Sequence, residues 1–277
     1  MAILFMLDTQ KPSESVTPMT TRLNRRRFIQ AALAASVIPE QARAFGCGPQ
    51  AVGTARTMTV STAGGPRFGQ KQYPDTLPLA DGEVVLTFDD GPLPGPTNHV
   101  LDTLAAACVQ ATFFLIGRNA AASPELVKRI ASDGHTIGNH TQSHPWTLRN
   151  RSFQAGLADI DKGAESIRQA LGGAGTLAPF IRFPGFVDTP ELLEEMSRRN
   201  VAVFGADFWA SDWNPMSAET ELHLVLGRLE HARRGIILFH DTKQQTAAML
   251  PGFLRALKER GFKVVHTVPR ALYGMNG

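Results

Sequence analysis

The stretch EVVLTFDDGP, residues 83–92, runs from a mostly apolar segment, Val84 to Phe88, into two adjacent carboxylates and then a Gly-Pro turn. A short apolar run rich in β-branched residues and closed by turn residues reads as a buried strand. Two aspartates at the end of such a strand are costly, because like charges repel and the strand end is partly desolvated. A divalent metal on one of them offsets that cost. Successive strand side chains point to opposite faces, so only a turn at Gly91-Pro92 brings Asp89 and Asp90 to one pocket. Asp-Gly-Pro as plain turn punctuation accounts for Asp90 and Gly91 but leaves Asp89 unexplained.

Downstream, the pattern repeats. ATFFLIG, HTIGNH, APFIRF, VAVFGAD, GIILFH and FKVVHTV read as six further strands, separated by stretches of helical period. In SPELVKRIAS, Ser123 is expected to cap and Pro124 to occupy the first turn. DTPELLEEMSRR reads as another helix, and in TAAMLPGFLRALKERG, Pro251 is expected to mark a first turn or a break. Strand–helix alternation indicates a parallel α/β architecture and fits an open doubly wound sheet as well as a barrel. The chemically capable residues decide between them. Asp89-Asp90, His140, Arg182, Asp207 to Trp213 and His240 all fall at or just after predicted strand ends. Five strands converge readily on one point at the mouth of a barrel and poorly in an open sheet. The expected fold is therefore α/β, an incomplete, distorted (β/α) barrel of about seven parallel strands.

HTQSH, residues 140–144, adds two imidazoles four residues apart, either on one helix face or wrapped round a loop. With Asp90, His140 and His144 make a two-histidine, one-carboxylate set that leaves metal positions open. Zinc suits those donors best, and cobalt or another first-row ion can replace it.

In order along the chain, TFDDGP, HTQSH, RFPGF, DFWASDW and LFH resemble the polysaccharide deacetylase family, the NodB-homology or carbohydrate esterase family 4 group, over roughly residues 78 to 270. The resemblance implies a NodB-type barrel and residue roles. Asp89 would be the general base that deprotonates the attacking water, with the metal on Asp90, His140 and His144. Arg182 would pair with Asp89. Asp212 would bond His240, the general acid for the leaving amine. Gly185 would offer a backbone N–H to the oxyanion, and Trp213 and Leu238 would line the acetyl pocket. The third motif departs from the family's Arg-x-Pro-aromatic-Gly, since Gly185 follows Pro184 directly and Phe186 comes after, which puts local groove shape in question. Trp146, Trp209 and Trp213 lie within three residues of these positions and suit either sugar stacking or packing. His99, His135, His223, His231 and His266 have no partners in spacing and read as structural or surface residues.

The implied reaction is N-deacetylation of an acetylated glycan: chitooligosaccharide, peptidoglycan or exopolysaccharide. The alternatives are O-acetyl ester hydrolysis and a catalytically inactive glycan-binding protein. Phosphoryl transfer is a poor third, as no Gly-rich phosphate loop is present.

Outside this domain, assigned to residues 81–272, residues 45–80 are rich in Gly, Thr, Ser and Pro and read as an extended linker and wrap. Residues 1–44 read as an export signal. NRRRFIQAALAASVIP is a cationic stretch followed by a short apolar run, and Ala42-Arg43-Ala44 gives a small-x-small cleavage pattern. Arg25-Arg26 with Phe28-Ile29 resembles a twin-arginine signal, so the export machinery is an expected partner and the destination periplasmic or secreted. Met19 is an alternative start. The apolar run is too short to span a bilayer, and no transmembrane segment is expected in the mature chain. Residues 1–44 hold six basic and three acidic side chains, leaving 22 of each in the remainder. That near-neutral body offers no electrostatic footprint for nucleic acid and favours a monomer. Two cysteines without CxxC spacing exclude a cysteine-based zinc site. Cys108 reads as a small buried hydrophobe, and Cys47 as free, paired or, as a minor alternative, lipidated.

Overall fold

All seven side chains of the strand Glu83–Asp89 are buried, as expected for a strand covered on both faces, and this strand is the hub of the sheet. The computed structural model describes residues 47–48 and 51–270, all within one compact unit, Ala44–Gly277. The export-signal reading of residues 1–44 lies outside the described residues. The strands are β1 (Thr54–Val60), β2 (Arg67–Phe68), β3 (Glu83–Asp89), β4 (Thr112–Leu115), β5 (Thr136–Asn139), β6 (Leu177–Ile181), β7 (Ala202–Phe204), β8 (Phe208–Trp209), β9 (Gly235–His240) and β10 (Lys263–Pro269). Seven helices accompany them among the described residues: α1 (Pro96–Ala106), α2 (Gly117–Ala122), α3 (Pro124–Ser132), α4 (Phe153–Leu171), α5 (Pro190–Arg198), α6 (Ala218–Ala232) and α7 (Gln244–Glu259).

Every strand pairing is parallel, and β8-β9-β3-β4-β5-β6-β7-β2 form one continuous arc. Among the described residues its two end strands, β8 and β2, do not pair with each other, so the barrel is incomplete. Register sets the site: Asp89 stands opposite His240 at the C-terminal ends of β3 and β9. β10 starts beside β3, with Lys263 opposite Glu83, and continues along β1. Thr267 on β10 bonds the first residues of β4 and β5, with Thr112 Oγ1 at 2.9 Å from its hydroxyl and Thr136 donating to its carbonyl at 2.6 Å. The β1–β10 ribbon therefore lies across the N-terminal ends of the barrel strands. Met58, Val60 and Val265 join Val85, Phe114, Phe180, Phe204 and Ile236 in one core, which closes the floor of the barrel. A second core lies beneath the helices, where Phe88 stacks on Phe113 and Phe239 at centroid distances of 5.1 and 5.5 Å.

All seven predicted strands are present, and the structure corrects four details. The stretch read as linker and wrap contains β1 and β2, and it pairs into the sheet at both ends of the strand order. Ser123 stands at the N-cap of α3 without a side-chain capping bond, whereas Thr189 caps α5 by accepting from the Leu192 amide. Pro251 lies inside α7, which continues through it to Glu259. Cys108 is not an unpaired hydrophobe: it forms a disulfide with Cys47, with Cα atoms 5.9 Å apart. That bond occupies the sulfur that lipidation needs.

Candidate metal centre and active site

Asp90 has a φ of 75°. This left-handed turn cancels the strand alternation and returns its carboxylate to the side that Asp89 faces. The Asp90 carbonyl is held by Asn119 Nδ2 at 2.7 Å. Behind the turn, a Cβ at Gly91 would lie 2.1 Å from Asp241 Oδ2, so only glycine lets the backbone approach that buried carboxyl group.

The two histidines of HTQSH come together by a loop, not a helix face. β5 ends at Asn139, and Asp159 on α4 accepts from the amides of Gln142 and Ser143, each at 3.2 Å, and from the Ser143 hydroxyl at 2.7 Å. His140 Nδ1 donates to the Arg182 carbonyl at 2.6 Å, which leaves the lone pair on Nε2. Nε2 of His140 and of His144 lie 3.5 and 3.3 Å from Asp90 Oδ1. That oxygen is buried and has no hydrogen-bond partner. Burial works against ionisation of Asp90, but the three surrounding histidines, His140 foremost, outweigh it and hold the carboxyl well below the usual range. Burial, aided by His140, pushes His144 down to about 4, so its ring is neutral at ordinary pH. Three lone-pair donors facing one another, all within 4.8 Å and centred on an orphaned oxygen, fit a divalent ion.

Around this trio stand two carboxylate-supported groups. Asp89 Oδ1 accepts from Arg182 at 2.8 Å, while its Oδ2 lies 3.8 Å from His140 Nε2. Arg182 is fully buried and donates also to Thr87 Oγ1 and to the carbonyls of Phe204 and Gly205, with its guanidinium 4.5 Å from the Phe114 ring centroid. Opposite, His240 Nδ1 donates to Asp212 Oδ1 at 2.7 Å, and its Nε2 lies 4.0 Å from Asp90 Oδ2. Burial alone would lower the His240 pKa; the charge and hydrogen bond of Asp212, then Asp90 and Asp89, raise it to about 9.

A cavity of about 470 Å³ opens over these groups. Asp89, His140, His144 and His240 meet it on one side, with Trp146, Gly185, Trp209, Trp213 and Leu238 around the wall. Trp146 is 69% and Trp213 44% exposed, so both offer ring faces to a ligand as well as packing. The reversed order in RFPGF keeps an aromatic in the wall: Gly185 and Phe186 both have φ near 57°, and Phe186 comes within 6.2 Å of Trp209. All twelve site residues expected from the sequence thus converge, with Arg182 and Asp212 behind the cavity wall.

Asp207 does not belong with them. It stands before β8 and braces the far end, accepting from Gln70 N, Thr76 Oγ1 and Ile236 N. Of the other histidines, His99, His223 and His231 are exposed, and His135 and His266 are buried at the barrel floor. Sequence reasoning missed Asp241, Glu221 and Thr246, which lie behind the site. Asp241 directly follows LFH, an adjacency that could have found it; Glu221 and Thr246 lie among other polar residues in the first turns of α6 and α7, and only the fold brings them to the strand ends.

The polysaccharide deacetylase family model matches residues 77–203. A peptidoglycan-N-acetylglucosamine deacetylase of Bacillus cereus is 36% identical over 201 residues, 71% of this chain and 70% of that protein. A chitooligosaccharide deacetylase of Bradyrhizobium is 31% identical over 68% of this chain and 89% of its own length. Among solved structures, a peptidoglycan deacetylase of Bdellovibrio bacteriovorus superposes with a TM-score of 0.70 at 31% identity, covering 78% of this chain and 59% of that one.

Proposed function

The chain belongs to the polysaccharide deacetylase family, a family of hydrolases, and from that premise we propose that it removes N-acetyl groups from a glycan containing N-acetylglucosamine. The observation that carries this reading is the pairing of Asp89, held by Arg182, with His240, held by Asp212, on either side of the Asp90, His140 and His144 trio. Amide hydrolysis needs an activated water, a stabilised oxyanion and a proton for a poor leaving group. Asp90, His140 and His144 would hold a divalent ion, zinc by donor preference, which when bound would lower the pKa of water and polarise the acetyl carbonyl. Asp89 takes the proton of the attacking water as general base. His240, charged at neutral pH, gives a proton to the departing amine. The backbone N–H of Gly185 serves the oxyanion, Trp213 and Leu238 enclose the acetyl group, and Trp146 and Trp209 stack against sugar rings.

Peptidoglycan or chitin-type oligomers are the substrate class, in line with the names of both relatives. Export through the twin-arginine route places the enzyme beside such polymers. The Cys47–Cys108 disulfide supports an oxidising destination, because such bonds persist outside the cytosol.

The test is acetate release from N-acetylglucosamine oligomers by the protein stripped of metal and then resupplied with zinc or cobalt. Metal-restored release is the expected result. Release only from O-acetylated xylan would move the assignment to ester hydrolysis, release only from peptidoglycan would narrow the substrate to the cell wall, and stoichiometric metal binding with no release from any of the three would leave a glycan-binding protein.

A further inference from the structure

Behind His240 the hydrogen bonds continue through three more residues, and their protons do not balance if every carboxylate is ionised. Asp212 Oδ1 accepts from the His240 ring, and Oδ2 accepts from the His240 backbone amide at 2.6 Å and from Thr246 Oγ1 at 2.8 Å. The same Thr246 oxygen lies 3.0 Å from Glu221 Oε1. Asp212, Glu221 and Thr246 are all completely buried. Glu221 Oε2 has no partner at all. A threonine hydroxyl has one proton to give and can otherwise only accept. Two buried carboxylates cannot both receive it, and an uncompensated buried charge on Glu221 would be severely penalised.

We propose that Glu221 is a positioning residue held as a neutral carboxylic acid: it donates to Thr246, commits the threonine's only proton to Asp212, and so fixes the carboxylate that orients His240. The proposal rests on the reading of His240 as the acid of the deacetylation. Glu221 comes from α6 and Thr246 from α7, so this clamp also ties two helices to the end of β9. The charged groups that act on Glu221 point the same way. Burial first, and then the charge of Asp212, push its pKa up to about 7, against smaller opposing effects of Thr246 and His240.

Two readouts test it independently. Infrared difference spectra of the wild type against Glu221→Gln, at about pH 5 where the acid form is present, are expected to show a protonated-carboxyl C=O band that the variant loses. This readout needs no turnover, so it stands even if the substrate assignment fails. In acetate release, Glu221→Gln keeps both a donor and neutrality and is expected to retain kcat within about threefold. Glu221→Met and Thr246→Val should lower kcat by about ten- to a hundredfold with KM unchanged, as for other outer-shell partners, and Thr246→Ser should restore it. Absence of the band, or a Glu221→Gln variant as impaired as Glu221→Met, overturns the proposal, because the second result would mean that the negative charge matters.

Discussion

Asp89 and Asp90 are chain neighbours with opposite surroundings. Asp89 is tied to a buried guanidinium, whereas Asp90 offers a bare oxygen to two imidazoles. Asp89→Asn leaves the donor trio intact and should keep the metal while lowering turnover by about 10²- to 10⁴-fold, the range for loss of a general base. Asp90→Asn removes a ligand and should lose the metal; elemental analysis of both purified variants checks this, and the reverse pattern would exchange the two roles. These residues were legible in the sequence because TFDDGP and HTQSH concentrate costly or chemically specific groups at short spacing. Glu221 and Thr246 were not, since each is one of several polar residues in the first turn of a helix and only tertiary packing shows that it is buried. Asp207 misled for the opposite reason: it sits near predicted strand ends in the chain, but β8 begins after it, which turns it toward the barrel floor.

At the scale of elements, long apolar strands such as β3 and β9 announce themselves, and short or half-exposed ones do not. β1 is exposed or half-buried at five of its seven positions, so only Met58 and Val60 mark its inner face and its pairing with β10 is a tertiary decision. β2 and β8 are two residues each, too short for any periodic signal. The Cys47–Cys108 bond was likewise hidden, because spacing says nothing about which loops meet. It fastens the residues leading into β1 to the turn after α1, where Gly53 and Thr54 amides also donate to the Ala107 and Cys108 carbonyls. With its ends separated by 61 positions in sequence, removing it by Cys47→Ser with Cys108→Ser is expected to cost about 2–4 kcal/mol of unfolding free energy. Denaturant titrations of the oxidised protein, the reduced protein and the double variant check this: the last two should coincide below the first, and superposition of all three would show that the link contributes nothing. Acetate release at low temperature should be unchanged, as the link lies away from the cavity.

For the whole molecule, one end of the barrel is built for chemistry and the other for closure, and both ends bury titratable groups whose effects on stability oppose each other. The barrel reading followed from five strand ends sharing one mouth, a constraint that reactive residues impose and hydrophobic periodicity does not. Nothing comparable marked the floor, where His266 donates through Nε2 to Thr136 Oγ1, itself committed to the Thr267 carbonyl. Burial pushes His266 down to about 4 and His135 down to about 3, below the ordinary imidazole value of about 6.5. As pH falls, the unfolded chain takes up these protons first. Stability from the neutral rings is therefore complete above about pH 6.5 and is lost as pH falls toward each folded value. Glu221 runs the other way: its folded pKa is raised to about 7, so stability is complete below the unfolded carboxyl value of about 4.3 and declines as pH rises toward 7. Between these limits the wild type should show a shallower pH response than the histidines alone would give, because the slope of Glu221 opposes theirs, and single substitutions should unmask each. His266→Gln, which preserves the donor to Thr136, should lose less stability than the wild type on acidification from about pH 6.5 to 4.5, by up to about 1.4 kcal/mol per pH unit. Glu221→Gln should lose less on alkalinisation over the same interval. Unfolding free energies of the three proteins at the two pH values decide the matter: parallel responses would mean that neither group changes its protonation on folding.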